Sequence, residues 1–129
     1  MLELPTRLEG ATLPPALRDL PEAPTRVFVH GELPRGPAVA IVGTRYPTEP
    51  ARRYARELAA ELCRQGVAVV SGGAEGIDTA AHEGALLGGG STVVVAPSSF
   101  DKPYPEENAE LFKRVVAEGG AYLSPYEHG

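Results

Sequence analysis

From Ala38 onward, short and wholly apolar runs alternate with longer stretches whose apolar residues recur every three or four positions. Ala38-Val39-Ala40-Ile41-Val42 is the first such run, and it ends at Gly43. A continuous apolar run bounded by a turn residue predicts a strand buried on both faces. Thr48 is placed to cap a helix, with Pro50 tolerated in its first turn. Ala51, Tyr54, Ala55, Leu58, Ala59 and Leu62 then form one stripe at helical period, the predicted inner face of that helix. Gly66 stops it, and Val67-Ala68-Val69-Val70 is the second predicted strand. A second helix runs from Ile77 to about Leu87, with the small inner stripe Ile77, Ala80, Ala81, Gly84 and Ala85. Gly88-Gly89-Gly90 breaks it before the strand Thr92-Val93-Val94-Val95. Pro105 opens a third helix that turns Leu111, Phe112, Val115 and Val116 inward. Gly119-Gly120 ends this helix, and Ala121-Tyr122-Leu123 is the fourth strand. Strands alternating with helices through short loops predict an α/β fold. The expected architecture is a Rossmann-like three-layer sandwich with a mainly parallel sheet and right-handed crossovers.

The first 37 residues read differently, because they hold seven of the thirteen prolines. Proline fixes its own φ and turns its predecessor away from helix. Residues 1–37 are therefore expected to be an extended lead-in with one short strand at Val27-Phe28-Val29-His30, and 38–129 to be the domain proper. A chain of 129 residues, 43% hydrophobic, is enough for one ordinary core. No apolar run has the length of a membrane span and the first residues do not read as a secretory signal. With Cys63 the only cysteine, the reading excludes an internal disulfide and points to a reducing cytoplasm.

The net charge of -5 argues against a generally basic nucleic-acid binder, but the basic residues are unevenly placed. Arg45, Arg52, Arg53 and Arg56 fall in one short stretch, a third of the 12 Lys and Arg residues. Such a patch can bind an anion locally on an acidic body. In open parallel sheets, ligands sit at the carboxyl ends of the strands. Two turns there are suited to anions. Gly43-Thr44-Arg45 places a hydroxyl and a forked cation at the rim. Ser71-Gly72-Gly73-Ala74-Glu75-Gly76 supplies a hydroxyl, glycine amides and the start of a helix. A plainer reading is that these glycines only permit tight turns and close helix packing. Neither the dinucleotide fingerprint nor the P-loop pattern is present.

Further residues fall into an ordered set of motifs: Leu13-Pro14-Pro15 to Leu20-Pro21, Val27-Phe28-Val29-His30-Gly31, Val39 to Arg45, and Ser71 to Asp78 with Ala81-His82. Asp101-Lys102-Pro103-Tyr104-Pro105-Glu106-Glu107-Asn108 and Gly120 to Ser124 complete it. In order and spacing these resemble the DNA-processing protein A family (DprA, also called Smf) over nearly the whole chain. The resemblance implies a protein that binds and protects single-stranded DNA and loads the RecA recombinase in natural transformation, without an established catalytic activity. Arg45 matches the family arginine that contacts phosphate, a role suited to a permanently charged, bidentate group. Its alternative is a surface arginine paired to a carboxylate. Gly43, Thr44, Ser71, Gly72, Gly73, Gly76, Lys102 and Asn108 complete the implied phosphate-binding set. Asp78 is expected to cap its helix and orient Arg45, and His82 to be a packing residue. No nucleophile stands beside His82 in sequence, and His30 and His128 give no metal motif. The reading therefore assigns no catalytic residue, cofactor or metal.

The chain departs from the family pattern at Glu75, where arginine is usual, at Ala96-Pro97 after the third strand, and at Glu106, where some members carry lysine. Each change lowers the expected affinity for a polyanion. The family domain also continues past Ser124-Pro125-Tyr126, so the chain reads as a fragment or a minimal relative. If it is a minimal relative, the fourth strand is expected to leave an open sheet edge that a homo-oligomer would cover. Two alternatives remain. One is a sensor of a nucleotide or nucleotide signal using the same turns; the other is a scaffold that only self-associates. A cytokinin-activating phosphoribohydrolase is disfavoured because its P-G-G-x-G-T-x-x-E motif is missing.

Overall fold

The computed structural model describes residues 4–128. Its strands are β1 (Thr6–Glu9), β2 (Arg26–Gly31), β3 (Ala38–Ala40), β4 (Ala68–Ser71), β5 (Thr92–Val95) and β6 (Ala121–Ser124). They form one mixed sheet in the order β1-β2-β6-β5-β4-β3. The apolar runs from Ala38 onward become the parallel part, with Val39 opposite Val69, Val70 opposite Val93 and Val94 opposite Tyr122. Beyond them, β2 adds antiparallel to β6, and β1 antiparallel to β2.

The proline-rich segment therefore contributes more than a lead-in. Its prolines punctuate two strands rather than prevent them, since Pro14, Pro15, Pro21 and Pro24 all lie between β1 and β2. This also corrects the expected open edge. β6 lies inside the sheet between β2 and β5, and the edges are β1 and β3.

The helices are α1 (Pro15–Arg18), α2 (Glu49–Arg64), α3 (Ile77–Leu87) and α4 (Ala109–Ala117). Each parallel crossover steps one strand in the same direction, so α2, α3 and α4 share one face of the sheet. On that face Val69 packs with Ala59, Cys63, Ala81 and Ala85, while Val94 and Tyr122 pack with Leu86, Leu111, Phe112 and Val115. The other face, carrying Val27, Val29, Val93, Ala121 and Leu123, is covered by Leu13 and Leu17 of the N-terminal segment. Among the described residues no helix is long and apolar enough to cross a membrane.

Helix α2 begins as its sequence dictates: the Ala51 amide donates to the Thr48 hydroxyl at 3.3 Å. Its buried face is rotated from the predicted stripe, however. Ala55, Ala59, Ala60 and Cys63 are buried, whereas Tyr54 and Leu58 are exposed. The cause is close packing on α3. A Cβ at Gly84 would collide with the Arg56 carbonyl oxygen and lie 2.8 Å from its carbon, so the two backbones touch there. That contact favours the small residues of α2 and leaves Tyr54 and Leu58 outside it.

The contact gives a test of sign. Gly84→Ala gains about 1 kcal/mol of helix propensity, but overpacking a backbone contact costs about 1–3 kcal/mol. Urea unfolding is expected to show net destabilisation. Gly36→Ala, with open space around it, should change stability by less than about 0.5 kcal/mol.

Candidate functional site

Parallel strands share a direction, so the segments after β3, β4, β5 and β6 emerge at one edge of the sheet. The two glycine turns meet there and are fastened together. The Ile77 amide donates to the Thr44 carbonyl at 3.1 Å. Gly76, at φ +82, has no room for a Cβ, which would strike the Thr44 carbonyl oxygen and approach that of Arg45 to 2.7 Å. The turn after β3 thus rests directly on the start of α3.

Side chains then brace the second turn from beneath. The Gly72 amide donates to the Asp78 carboxylate at 3.0 Å. Thr79 donates its hydroxyl to the Ala74 carbonyl at 2.7 Å, and Asn108 donates its side-chain amide to the Gly73 carbonyl at 3.0 Å and to the Thr79 hydroxyl at 2.9 Å. Ser71 is buried and gives its hydroxyl to the Ile41 carbonyl at 2.5 Å, which ties β4 to β3.

Several expected ligand groups are thereby redirected. The Ser71 hydroxyl, the Gly72 amide and the Asn108 amide are consumed inside the protein and shape the turn. Asp78 binds that turn instead of capping its helix, and among the described residues it makes no hydrogen bond or ion pair with Arg45, contrary to the expected capping and orienting role. Thr79 was missed in the sequence; its only signal was a hydroxyl residue in the first turn of α3.

Other amides of the two turns are left without a partner in the protein, although Gly73 and Gly76 are themselves buried. The amides of Gly73, Ala74, Glu75 and Gly76 have no acceptor among the described residues, and neither do those of Gly43, Thr44 and Arg45. Runs of free amides beside a helix N-terminus favour an anion. Arg45 is exposed and has no ion pair among the described residues, as is Lys102 on the loop after β5. The basic cluster is smaller than its sequence suggested. Arg52 pairs with Glu49 at 3.5 Å and Arg56 with Glu83 at 3.8 Å, leaving Arg45 and Arg53 unpaired. The Glu75 side chain is exposed on the same turn as the free amides.

The ledge is open. Gly43, Thr44 and Arg45 are all exposed. One cavity of about 250 Å³ adjoins Lys102, lined by Pro97, Ser99, Tyr126 and His128. Cavities of about 470 and 400 Å³ lie elsewhere, the first beside Leu4, His30 and Phe100 and the second at the opposite end of the strands. Tyr122 fixes the loop that carries Lys102 by donating its hydroxyl to the Ser98 carbonyl at 2.7 Å. Among the described residues no group of three His, Cys, Asp or Glu side chains could hold a metal.

His82 is not at the ledge but fully buried between α3 and the sheet. Thr92 donates its hydroxyl to the Val69 carbonyl at 2.7 Å, so it accepts from His82 Nδ1 at 2.8 Å. The hydrogen bonds therefore require the Nδ1–H tautomer, and Nε2 is buried with no partner among the described residues. Burial lowers the imidazole pKa to about 4 from its ordinary 6.5.

The fold defines the class, an α/β domain built on one mixed six-stranded sheet. The chain belongs to the DNA recombination-mediator protein A family, which matches residues 6–129. It is similar to protein Smf of Synechocystis, with 38% identity over 122 residues, covering 90% of this chain and 30% of Smf. A structure of DNA processing protein A from Helicobacter pylori, concerned with its single-stranded DNA binding mode, superposes with a TM-score of 0.81 and 35% identity over 95% of this chain and 56% of that one. DNA processing protein A from Streptococcus pneumoniae superposes at 0.85 and 32% identity, over 96% of this chain and 44% of that one. The chain thus spans less than a third of Smf and about half of the solved chains.

The buried histidine makes stability pH-dependent. Below about pH 6.5 the unfolded chain takes up a proton that native His82 refuses until about pH 4. Its contribution is complete above the unfolded value and is lost as pH falls between the two, by an amount on the order of 3 kcal/mol. Urea unfolding from pH 7 to 4.5 should therefore show a shallower loss in His82→Asn, which keeps a donor for Thr92, than in the wild type. Parallel curves would contradict the assignment.

Proposed function

We propose that the strand-tip ledge binds the sugar-phosphate backbone of single-stranded DNA, and that the chain is the DNA-holding part of a recombination mediator. The observation that carries this reading is the row of unpaired amides at Gly73–Gly76 beside the unpaired guanidinium of Arg45. Lys102 extends the positive charge along the ledge, and the exposed Tyr46 and Tyr104 are its stacking surfaces. Openness favours a polymer that crosses the ledge over a mononucleotide, which binds best in a concave, enclosing site. The single-stranded DNA binding of the Helicobacter pylori relative supports the same reading.

The proposal contains no bond-making step. Ser71 has its hydroxyl bound to a backbone carbonyl, and His82 is sealed in the core. Phosphate contacts of this kind give affinity without reading sequence. A recombinase is the partner that the mediator role implies, and the cytoplasm is the compartment in which both would meet DNA.

Fluorescence anisotropy of a labelled single-stranded oligonucleotide, titrated at several salt concentrations, tests the reading. Arg45→Ala should weaken binding roughly tenfold, as expected for one charge-assisted hydrogen-bonding group, and reduce the log–log salt slope by about 0.7. Glu75→Gln should tighten binding. Retained affinity and an unchanged slope in Arg45→Ala would remove Arg45 from the site. Binding of mononucleotides, with no oligonucleotide binding at low salt, would replace the proposal with a nucleotide sensor.

A further inference from the structure

Ala74 and Glu75 stand in the middle of the amide row, Ala74 half-buried and Glu75 exposed. Where their amides point is decided by the carbonyls before them. A trans peptide unit is planar, and its C=O and N–H point in opposite directions. The peptide bonds of this turn are trans. The Gly73 carbonyl therefore aims the Ala74 amide, and the Ala74 carbonyl aims the Glu75 amide.

Both carbonyls are held from one side chain. Asn108 donates its side-chain amide to the Gly73 carbonyl at 3.0 Å and to the Thr79 hydroxyl at 2.9 Å. That hydroxyl donates in turn to the Ala74 carbonyl at 2.7 Å, which also accepts from the Thr79 backbone amide at 3.1 Å. Every side-chain donor is used. A primary amide has two N–H groups and a hydroxyl has one, so neither residue keeps a hydrogen to offer a phosphate. Asn108 is itself fixed, because its backbone amide donates to the carbonyl of buried Pro105 at 3.0 Å.

We propose that Asn108 is a positioning residue for nucleic acid, aiming the Ala74 and Glu75 amides at phosphate, in part through Thr79, without touching the ligand. This role rests on the reading of the ledge as a single-stranded DNA site. The residue type fits the task. Asparagine brings two donors and no charge, whereas an aspartate would set a carboxylate against the Gly73 carbonyl and release it. The relay carries no cation, so it governs affinity without governing the salt dependence that Arg45 sets.

Oligonucleotide anisotropy and amide dynamics together test the assignment. Asn108→Ala should raise the dissociation constant about tenfold, and Thr79→Val, which leaves the backbone bond to Ala74, about threefold. Thr79→Ser keeps the hydroxyl and should stay within about twofold of the wild type. All three should retain the wild-type salt slope. The double variant Asn108→Ala with Thr79→Val should bind no more weakly than Asn108→Ala alone, because one relay is removed only once. In the ligand-free protein, ¹⁵N relaxation should show the Ala74 and Glu75 order parameters falling in Asn108→Ala from about 0.85 toward about 0.6. If that variant fails to fold, the same readings on Thr79→Val against Thr79→Ser decide the question. Weakened binding with both amides still ordered would make Asn108 a direct contact and overturn the role. So would wild-type affinity in Asn108→Ala, a reduced salt slope, or additive losses in the double variant. A wild type that binds no oligonucleotide would instead overturn the single-stranded DNA reading, and this role with it.

Discussion

The ledge depends on one contact: the backbone of Thr44 and Arg45 lying directly on Gly76, with the Ile77 amide bound to the Thr44 carbonyl. Two turns from different crossovers are thereby held as one surface. Any side chain at Gly76 would force them apart and carry Arg45 away from the free amides. The other braces serve this contact. Asp78 and Thr79 hold the turn from the helix that follows it, and Asn108 holds it from the segment leading into α4. The site is rigid because its polar parts are anchored before any ligand arrives, and preorganised donors lose little entropy on binding.

The division of labour among the polar groups follows from burial. Groups beneath the surface, such as Ser71 and Asp78, must find partners in the protein, because an unmet buried donor or acceptor costs more than a bond gains. Asp78 finds its partner in the turn, at the Gly72 amide, and Ser71 finds its own in the Ile41 carbonyl just after β3. Only groups without a partner in the protein stay available to a ligand. A turn of this kind separates structure from binding within a few residues.

Much of this was legible in the sequence, for physical reasons. The four apolar runs from Ala38 onward and the glycines that end the helices gave the parallel part of the sheet and the edge where the turns meet. Thr48 did start α2. The N-terminal strands were hidden because β1 draws its stability from pairing with β2, a contact that no local pattern announces. Tyr54 and Leu58 misled because periodicity gives the spacing of a stripe but not its phase, and the glycine contact at Gly84 sets the phase. Asn108 and Ser71 could be placed near the turn, but the direction of a single hydroxyl or amide is a tertiary property.

The two ends of the sheet also differ in kind. The outer strand β1 carries Arg7 and Glu9, and Glu9 is engaged by both Arg7 and Arg26, at 3.7 and 3.6 Å. A strand arriving there would have to desolvate these ions. The strand at the other end, β3, carries no charge in Ala38-Val39-Ala40.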